Sequence, residues 1–379
     1  ARDVGSRSTV MAKTGLSASQ HAARAAWARL GPVVGCVLAI LALCVAVPVA
    51  AQTAQPVVAA QVVAKESSLP LWSAVRVLRE VDGRKTIDDV LRTPEAFVAP
   101  TGAHATLGTA SGVTWLRIPL SVAPDAVGEW VFDVDYPPLQ QLDIYAVRDG
   151  TVAQRWQLGS LRSFAERPLR SRNHAVPLTL QSGDGQVLYV RAASDGALVL
   201  PVRLSRPAAF HAAALFEQMV QGVLIGVALM LFAYSLIQGF LLREREYFSY
   251  AVLVIGSAMF SMLQFGTGTQ FLWTDLFWFQ RHAPGITSLV ATLGSFLFFY
   301  QVLVDNATPR WFRRVMPACA WLCGALLAVY CFDAFDNRTL TAIIAVLGLV
   351  PAGLALPIAI RRAWRRDEVG IALVLAWVV

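Results

Sequence analysis

Gln221-Gly-Val-Leu-Ile-Gly-Val-Ala-Leu-Met-Leu-Phe-Ala-Tyr-Ser-Leu-Ile-Gln-Gly-Phe-Leu241, followed at once by Leu242-Arg-Glu-Arg-Glu246, decides the architecture. The apolar run carries no charge, and it matches the roughly 20 residues that a helix needs to cross bilayer hydrocarbon. It ends in a cluster of charges. Similar apolar runs follow at 248–265, 286–304, 315–332 and 340–360, and a sixth opens near Gly370 and reaches the final residue, Val379. The pattern predicts a bundle of membrane helices over 211–379, with the sixth span incomplete.

Loop charges test the orientation. The first and third loops, 243–246 and 305–314, contain Arg243 and Arg245, then Arg310, Arg313 and Arg314; the fifth, 361–367, contains Arg361, Arg362, Arg365 and Arg366. The second and fourth, 266–285 and 333–338, hold one arginine each, Arg281 and Arg338, and the second adds the interface-favouring Trp273, Trp278 and Phe279. Positive residues accumulate on the cytoplasmic side, so the alternation places everything before residue 211 outside. Whole-chain composition agrees: 56% of residues are hydrophobic and only 15% charged, against about 25% charged in soluble domains. The net charge of +7 does not indicate a nucleic-acid partner, because the arginines lie at the ends of apolar runs rather than on one polar face. The runs 310–314 and 361–366 also suit anionic membrane lipids.

Upstream, Arg24 and Arg29 precede an apolar run at 33–49, and Val49-Ala50-Ala51 offers the small residues a signal peptidase reads. Residues 1–51 are expected to be an N-terminal extension with a signal peptide, and 52–72 a loose lead-in. From 73 to 210 the period is two. Leu116, Ile118, Leu120 and Val122 share one face, Trp130, Phe132 and Val134 alternate with Asp133 and Asp135, and Asp149-Gly150 and Gly183-Asp-Gly185 are turn signals. Short strands between Gly, Pro and Asp turns predict an all-β antiparallel sandwich, jelly-roll-like, with Pro119 and Pro201 at edges or bulges. Of five cysteines, Cys36, Cys44, Cys319, Cys323 and Cys331, none falls within this domain. Its size suffices for a core without disulfides.

Residues 215–273 resemble the membrane domain of bacterial 7TM receptors with diverse intracellular signalling modules. The likeness rests on Gly222-Val-Leu-Ile-Gly226, Tyr234-Ser-Leu-Ile237, Leu242-Arg-Glu-Arg-Glu-Tyr-Phe-Ser-Tyr250, Gly266 and Gln270-Phe-Leu-Trp273. Residues 73–206 resemble that family's type 2 extracellular domain, through Trp115-Leu-Arg117, Trp130-Val-Phe-Asp-Val-Asp135, Leu142-Asp-Ile-Tyr145, Leu188-Tyr-Val-Arg191 and Leu204-Ser-Arg-Pro-Ala-Ala-Phe210. The resemblance implies seven helices, of which six are begun here. It also implies a cytoplasmic output module beyond the given sequence, commonly a diguanylate cyclase or a histidine kinase.

Several residues are candidates for function. Trp115 and Arg117 fall on one strand face, as an Arg–aromatic patch for an anionic or sugar ligand, or as a structural Trp beside a snorkelling Arg. Asp133, Asp135 and Asp143 carry oxygens for a cation or for sugar hydroxyls, but calcium wants several oxygens in one loop, and their alternation along strands favours a solvated sheet face. Tyr136-Pro-Pro138 forms a corner that presents an aromatic ring or simply turns the chain. Glu217 and Gln218 stand at the outer mouth of the first helix, as couplers or as interfacial caps. Gly222, Gly226 and Tyr234 mark a helix-packing face, with close approach inside the bundle expected of the glycine pair.

His21, His104, His174, His211 and His282 are scattered, and no HExxH, GxSxG, Walker A or paired-carboxylate motif occurs. No catalytic site, metal or cofactor is expected. An exported signalling receptor with an unknown small-molecule or carbohydrate ligand fits best, and signalling commonly uses a homodimer. A transporter is disfavoured, because the helices carry no ionisable residue near their centres. A carbohydrate-binding membrane protein without output is the remaining alternative.

Overall fold

The computed structural model describes residues 59–100, 105–108, 112–305, 308–334 and 336–378. The expected targeting segment, with Cys36, Cys44 and His21, lies outside these residues, as does His104.

The alternation around Trp115 becomes two facing sheets. In the first sheet the spatial order is β1 (Ala60–Val62), β5 (Val113–Val122), β10 (Gly183–Ala193), β7 (Gln141–Arg148) and β8 (Thr151–Leu158), and β3 (Arg76–Glu80) pairs with the first half of β5. The second sheet runs β2 (Ser68–Pro70), β12 (Val202–Ser205), β6 (Gly128–Val134) and β9 (His174–Leu180). A short ribbon joins β4 (Thr106–Gly108) to β11 (Leu198–Val199). Leu116, Ile118, Leu120 and Val122 meet Trp130, Phe132 and Val134 in one buried core. The β7–β8 hairpin turns through Asp149 and Gly150, both at positive φ (48° and 76°), as two-residue hairpin turns require.

Three expectations need correction. The described part of the segment expected as a loose lead-in, 59–72, contributes strands to both sheets. Ala60–Val62 pairs with β5 and Ser68–Pro70 with β12, because alternating Val and Leu side chains fill the sandwich edges. The sandwich is antiparallel except for this β1–β5 pair, which is parallel. Gly183-Asp-Gly185 begins β10 with a bulge, where the register shifts before Gln186. Pro119 lies inside β5, between the last β3 pair at Arg117 and the first β1 pair at Leu120. A missing N–H is tolerated where the strand changes neighbour.

A short helix α1 (Ile87–Leu91), capped by Thr86 and Asp89 in a capping box, covers the outer face of the first sheet. The helical region follows: α2 (Pro207–Leu242), α3 (Arg245–Gln264), α4 (Thr267–Phe271), α5 (Phe277–Leu303), α6 (Arg310–Cys331), α7 (Asn337–Leu347), α8 (Val350–Trp364) and α9 (Glu368–Val378). Five stretches among the described residues are long and apolar enough to cross a membrane, with α7 and α8 together forming the fifth. The observed α2 starts well before residue 221. At 1.5 Å per residue its 36 residues span about 54 Å, more than the hydrocarbon thickness. Its first turns therefore stand against the sandwich, where Phe210 packs on Val131 and Ala175. The break between α7 and α8 follows from Pro351, which cannot donate to the carbonyl four residues back.

The central helix is α5, which packs on α3, α6, α7 and α8. It approaches α3 backbone to backbone. A Cβ on Gly256 would stand 2.5 Å from the Ala291 nitrogen, and one on Gly294 would stand 2.5 Å from the Leu253 nitrogen. The glycine pair expected to pack inside the bundle, Gly222 and Gly226, instead faces outward, and a Cβ on either would meet nothing within 4 Å. Tyr234 also points out, 54% exposed, its hydroxyl accepting from Gln238 Nε2 at 3.1 Å. The buried contacts of α2 come from other positions, such as Gly239 against the Phe248 ring.

Candidate functional site

The sandwich sits on the end of the bundle formed by the α3–α5 and α6–α7 connections. Ser163 donates to Asp275 Oδ1 at 2.9 Å, across from the loop before α5. At the opposite end of α5, Arg362 donates to the Val302 carbonyl at 2.9 Å and pairs with Asp367 at 2.6 Å. The arginine clusters and the sandwich thus occupy opposite ends of the same helices.

A cleft of about 960 Å³ opens between the outer face of the first sheet, the 159–166 loop and the start of α5. Its walls combine sandwich residues with Asp275 and Phe277 of the helical region. Trp115 lies at its base but offers no free ring face. It is fully buried, stacks with Tyr145 at 5.9 Å and 26°, and directs Nε1 to Glu80 Oε2 at 3.4 Å. Arg117 does not line the cleft, and its Nε donates to the Tyr189 hydroxyl at 3.2 Å. Trp115 thus packs under α1 and Arg117 is half-buried beside Tyr189, so the pair is not an open patch. Asp143, on β7, takes Arg191 at 3.4 Å and Arg155 at 3.9 Å. The Arg155 guanidinium also covers the Tyr145 ring at 5.3 Å. Burial, and then the neighbouring Asp143 charge, push the Tyr145 phenol upward.

Asp133 and Asp135 lie on the other sheet, away from Asp143, so the three carboxylates do not converge. The reading of a solvated face fails at Asp133, which is fully buried. Arg203 pairs with it at 3.1 Å, and Asn173 Nδ2 donates at 3.4 Å. Burial raises its pKa, with Arg203 opposing the rise. Beside it, His174 is buried too, and burial followed by the Arg167 charge drives its pKa well below the ordinary value. Neither ring nitrogen makes a well-aligned hydrogen bond among the described residues, although the Pro137 carbonyl favours the proton slightly.

The strongest link between sandwich and helices is Arg172. It is nearly buried, and it pairs with Asp135 at 3.2 Å and with Glu217 of α2 through two of its nitrogens. Glu217 is therefore held by the sandwich rather than capping its helix. Next to it, Gly266 adopts φ 73° and seats the α3–α4 connection on Pro137; a Cβ there would stand 2.6 Å from Pro137 Cβ. Tyr136, at the corner before it, is half-buried and lines two cavities at this junction. Its phenol is raised by burial. Within the helical region, a polar and aromatic cluster lies at the α6–α7 connection. There His282 Nε2 meets Asp333 at 2.7 Å, stacks on Trp278, and abuts Tyr330, whose hydroxyl donates to Asn337.

Arg172, Ser163 and Asp275 were not among the residues the sequence singled out, and Gly266 entered only as part of the family resemblance. Arg172 meets Glu217 45 positions away and Ser163 meets Asp275 112 positions away, so neither pairing left a local signal. Among the described residues no group of three or more His, Cys, Asp or Glu is arranged to hold a metal ion.

Fold and junction together define a multi-pass membrane protein with a β-sandwich domain clamped to one end of its helices. Two family models match the chain: 7TMR-DISM extracellular 2 over residues 73–206, and 7TM diverse intracellular signalling over residues 217–379. The chain belongs to the 7TMR-DISM family, membrane receptors with an extracellular sensor domain. No curated protein matches it at a significant level.

Proposed function

We propose that this chain is the sensing half of a bacterial inner-membrane receptor that takes a small-molecule or carbohydrate ligand in the cleft between its sandwich and its helices. One observation carries the reading: the cleft has walls from both parts, so an occupant touches Asp143 and Arg155 on one side and Asp275 and Phe277 on the other. A ligand shifts a conformational equilibrium only by its differential affinity for the two states. A site shared by two bodies supplies such a difference, because any change in their spacing alters the contacts. Arg172 and Glu217 lie at a second contact of the same two bodies, so a change in the cleft is passed to α2. The arginine-rich ends support a cytoplasmic location for 243–246, 310–314 and 361–366, where anionic lipid headgroups are available to them. The family's intracellular signalling supports transfer of the state to a cytoplasmic module, a diguanylate cyclase first and a histidine kinase second.

Orientation is tested with single cysteines in intact cells. An impermeant maleimide labels a cysteine at position 150 and leaves one at 366 unlabelled; the reverse pattern refutes the topology. Ligand coupling is tested by hydrogen exchange on the chain in nanodiscs with a panel of glycans and small metabolites. A true ligand protects both 155–163 and 267–277, and protection confined to one body defeats the shared-site reading.

A further inference from the structure

We infer that the occupant of this cleft is a small organic polyanion, a molecule carrying at least two carboxylate or phosphate groups, rather than a neutral sugar. The inference rests on the cleft being the receptor's ligand site. Five cationic side chains line it, Arg84, Lys85, Arg155, Arg162 and Arg191, against three carboxylates, Asp143, Glu166 and Asp275. Two of those carboxylates are engaged, Asp143 by Arg155 and Arg191, and Asp275 by the Ser163 hydroxyl. Arg84 and Arg162 are exposed and pair with no carboxylate among the described residues. The cleft therefore holds an excess of two positive charges in a concave surface, where low-dielectric walls concentrate the field.

Arginine, rather than lysine, dominates this set. Its planar fork matches carboxylate and phosphate oxygens two at a time. The volume of about 960 Å³ lies within the range for small-molecule sites. Recognition of a neutral glycan typically uses an open aromatic face. Here the candidate faces are closed, since Trp115 is 0% and Tyr145 5% exposed, with Arg155 lying across the tyrosine ring. The exposed aromatic in the lining is Phe277, on the helical side. It gives the carbon skeleton of an organic anion an apolar edge and ties occupancy to the start of α5.

The experiment uses the whole chain in phosphatidylcholine nanodiscs, titrated by calorimetry with citrate, digalacturonate, cellobiose and inorganic phosphate. Citrate or digalacturonate binds, weakens as sodium chloride is raised, and protects 155–163 from hydrogen exchange. The double variant Arg84→Gln/Arg162→Gln binds it about tenfold or more weakly, while Arg92→Gln, which faces Asp89 outside the cleft, binds as the parent does. Because Arg84 and Arg162 have no ion-pair partner among the described residues, the double variant keeps its thermal midpoint. Cellobiose binding that protects the cleft and is unchanged in the double variant overturns the polyanion assignment and leaves the shared-site reading standing. Anion binding that protects neither 155–163 nor 267–277 overturns both. Silence of citrate and digalacturonate at millimolar concentration overturns the assignment. So does displacement of both by phosphatidylglycerol in the nanodisc, which would give the site to a lipid headgroup.

Discussion

Replacing Arg172 with leucine removes the junction's central cation while keeping apolar bulk. In the intact protein this side chain satisfies the carboxylates of Asp135 and Glu217, and its Nη1 lies 3.5 Å from the Phe265 carbonyl. Breaking a fully buried ion pair costs about 3–5 kcal/mol. Here the guanidinium is buried but the two carboxylate side chains are 30% and 32% exposed. Water recovers part of their solvation, and the net loss comes to about 2 kcal/mol. The loss falls on the contact between the bodies, since Glu217 belongs to α2 and Phe265 to the end of α3. By mass action about 2 kcal/mol is a roughly 30-fold rise in junction opening. Hydrogen exchange of the 262–273 segment should therefore accelerate by about that factor, while β6 and β9 of the sandwich exchange as before. A double-mutant cycle with Glu217→Gln should recover a coupling of about 1–2 kcal/mol. Faster exchange in β6 and β9 with an unchanged 262–273 segment would show that Arg172 serves sandwich folding alone and refute the latch.

Gly266→Ala forces a non-glycine residue into φ 73° and brings a methyl to 2.6 Å from Pro137 Cβ. It should cost about 2 kcal/mol and lower the thermal midpoint by several degrees. In the membrane, Gly256→Ala and Gly294→Ala should each destabilise by about 1–3 kcal/mol, because the added carbon meets α3 or α5 backbone. Gly222→Ala and Gly226→Ala should stay within about 0.5 kcal/mol, and unfolding in detergent–urea separates the two sets. His174 makes the sandwich acid-sensitive. Its folded pKa is depressed, so the stability is complete above the ordinary histidine value and falls as the pH drops below it, by up to about 1.4 kcal/mol per pH unit. Denaturation midpoints at pH 7 and pH 5.5 should differ for the parent and converge for His174→Leu.

How far the chain could be read from its residues depended on how local the physics was. Hydrophobic length, loop charge and strand alternation are properties of neighbouring residues, because lipid and a sheet face each impose a fixed period on the sequence. Thus 221–241, the arginine clusters and the Leu116–Val122 face were legible, and so was the Asp149-Gly150 turn. The same periodicity misjudged Asp133, which alternates like a solvated residue yet lies buried against Arg203. It also misjudged Gly222 and Gly226, whose spacing suits close packing but whose face turns outward. No period reports which face meets a partner. The sequence by itself therefore determined a β domain followed by membrane helices with alternating loop charge, together with the family likeness. Tertiary structure alone decided that β1 and β2 complete the sheets, that Gly256 and Gly294 hold α3 to α5, and that Arg172 grips Glu217 across 45 positions. The physical reason is that these features depend on pairings between distant segments, whose energies exist only once the chain has brought them together.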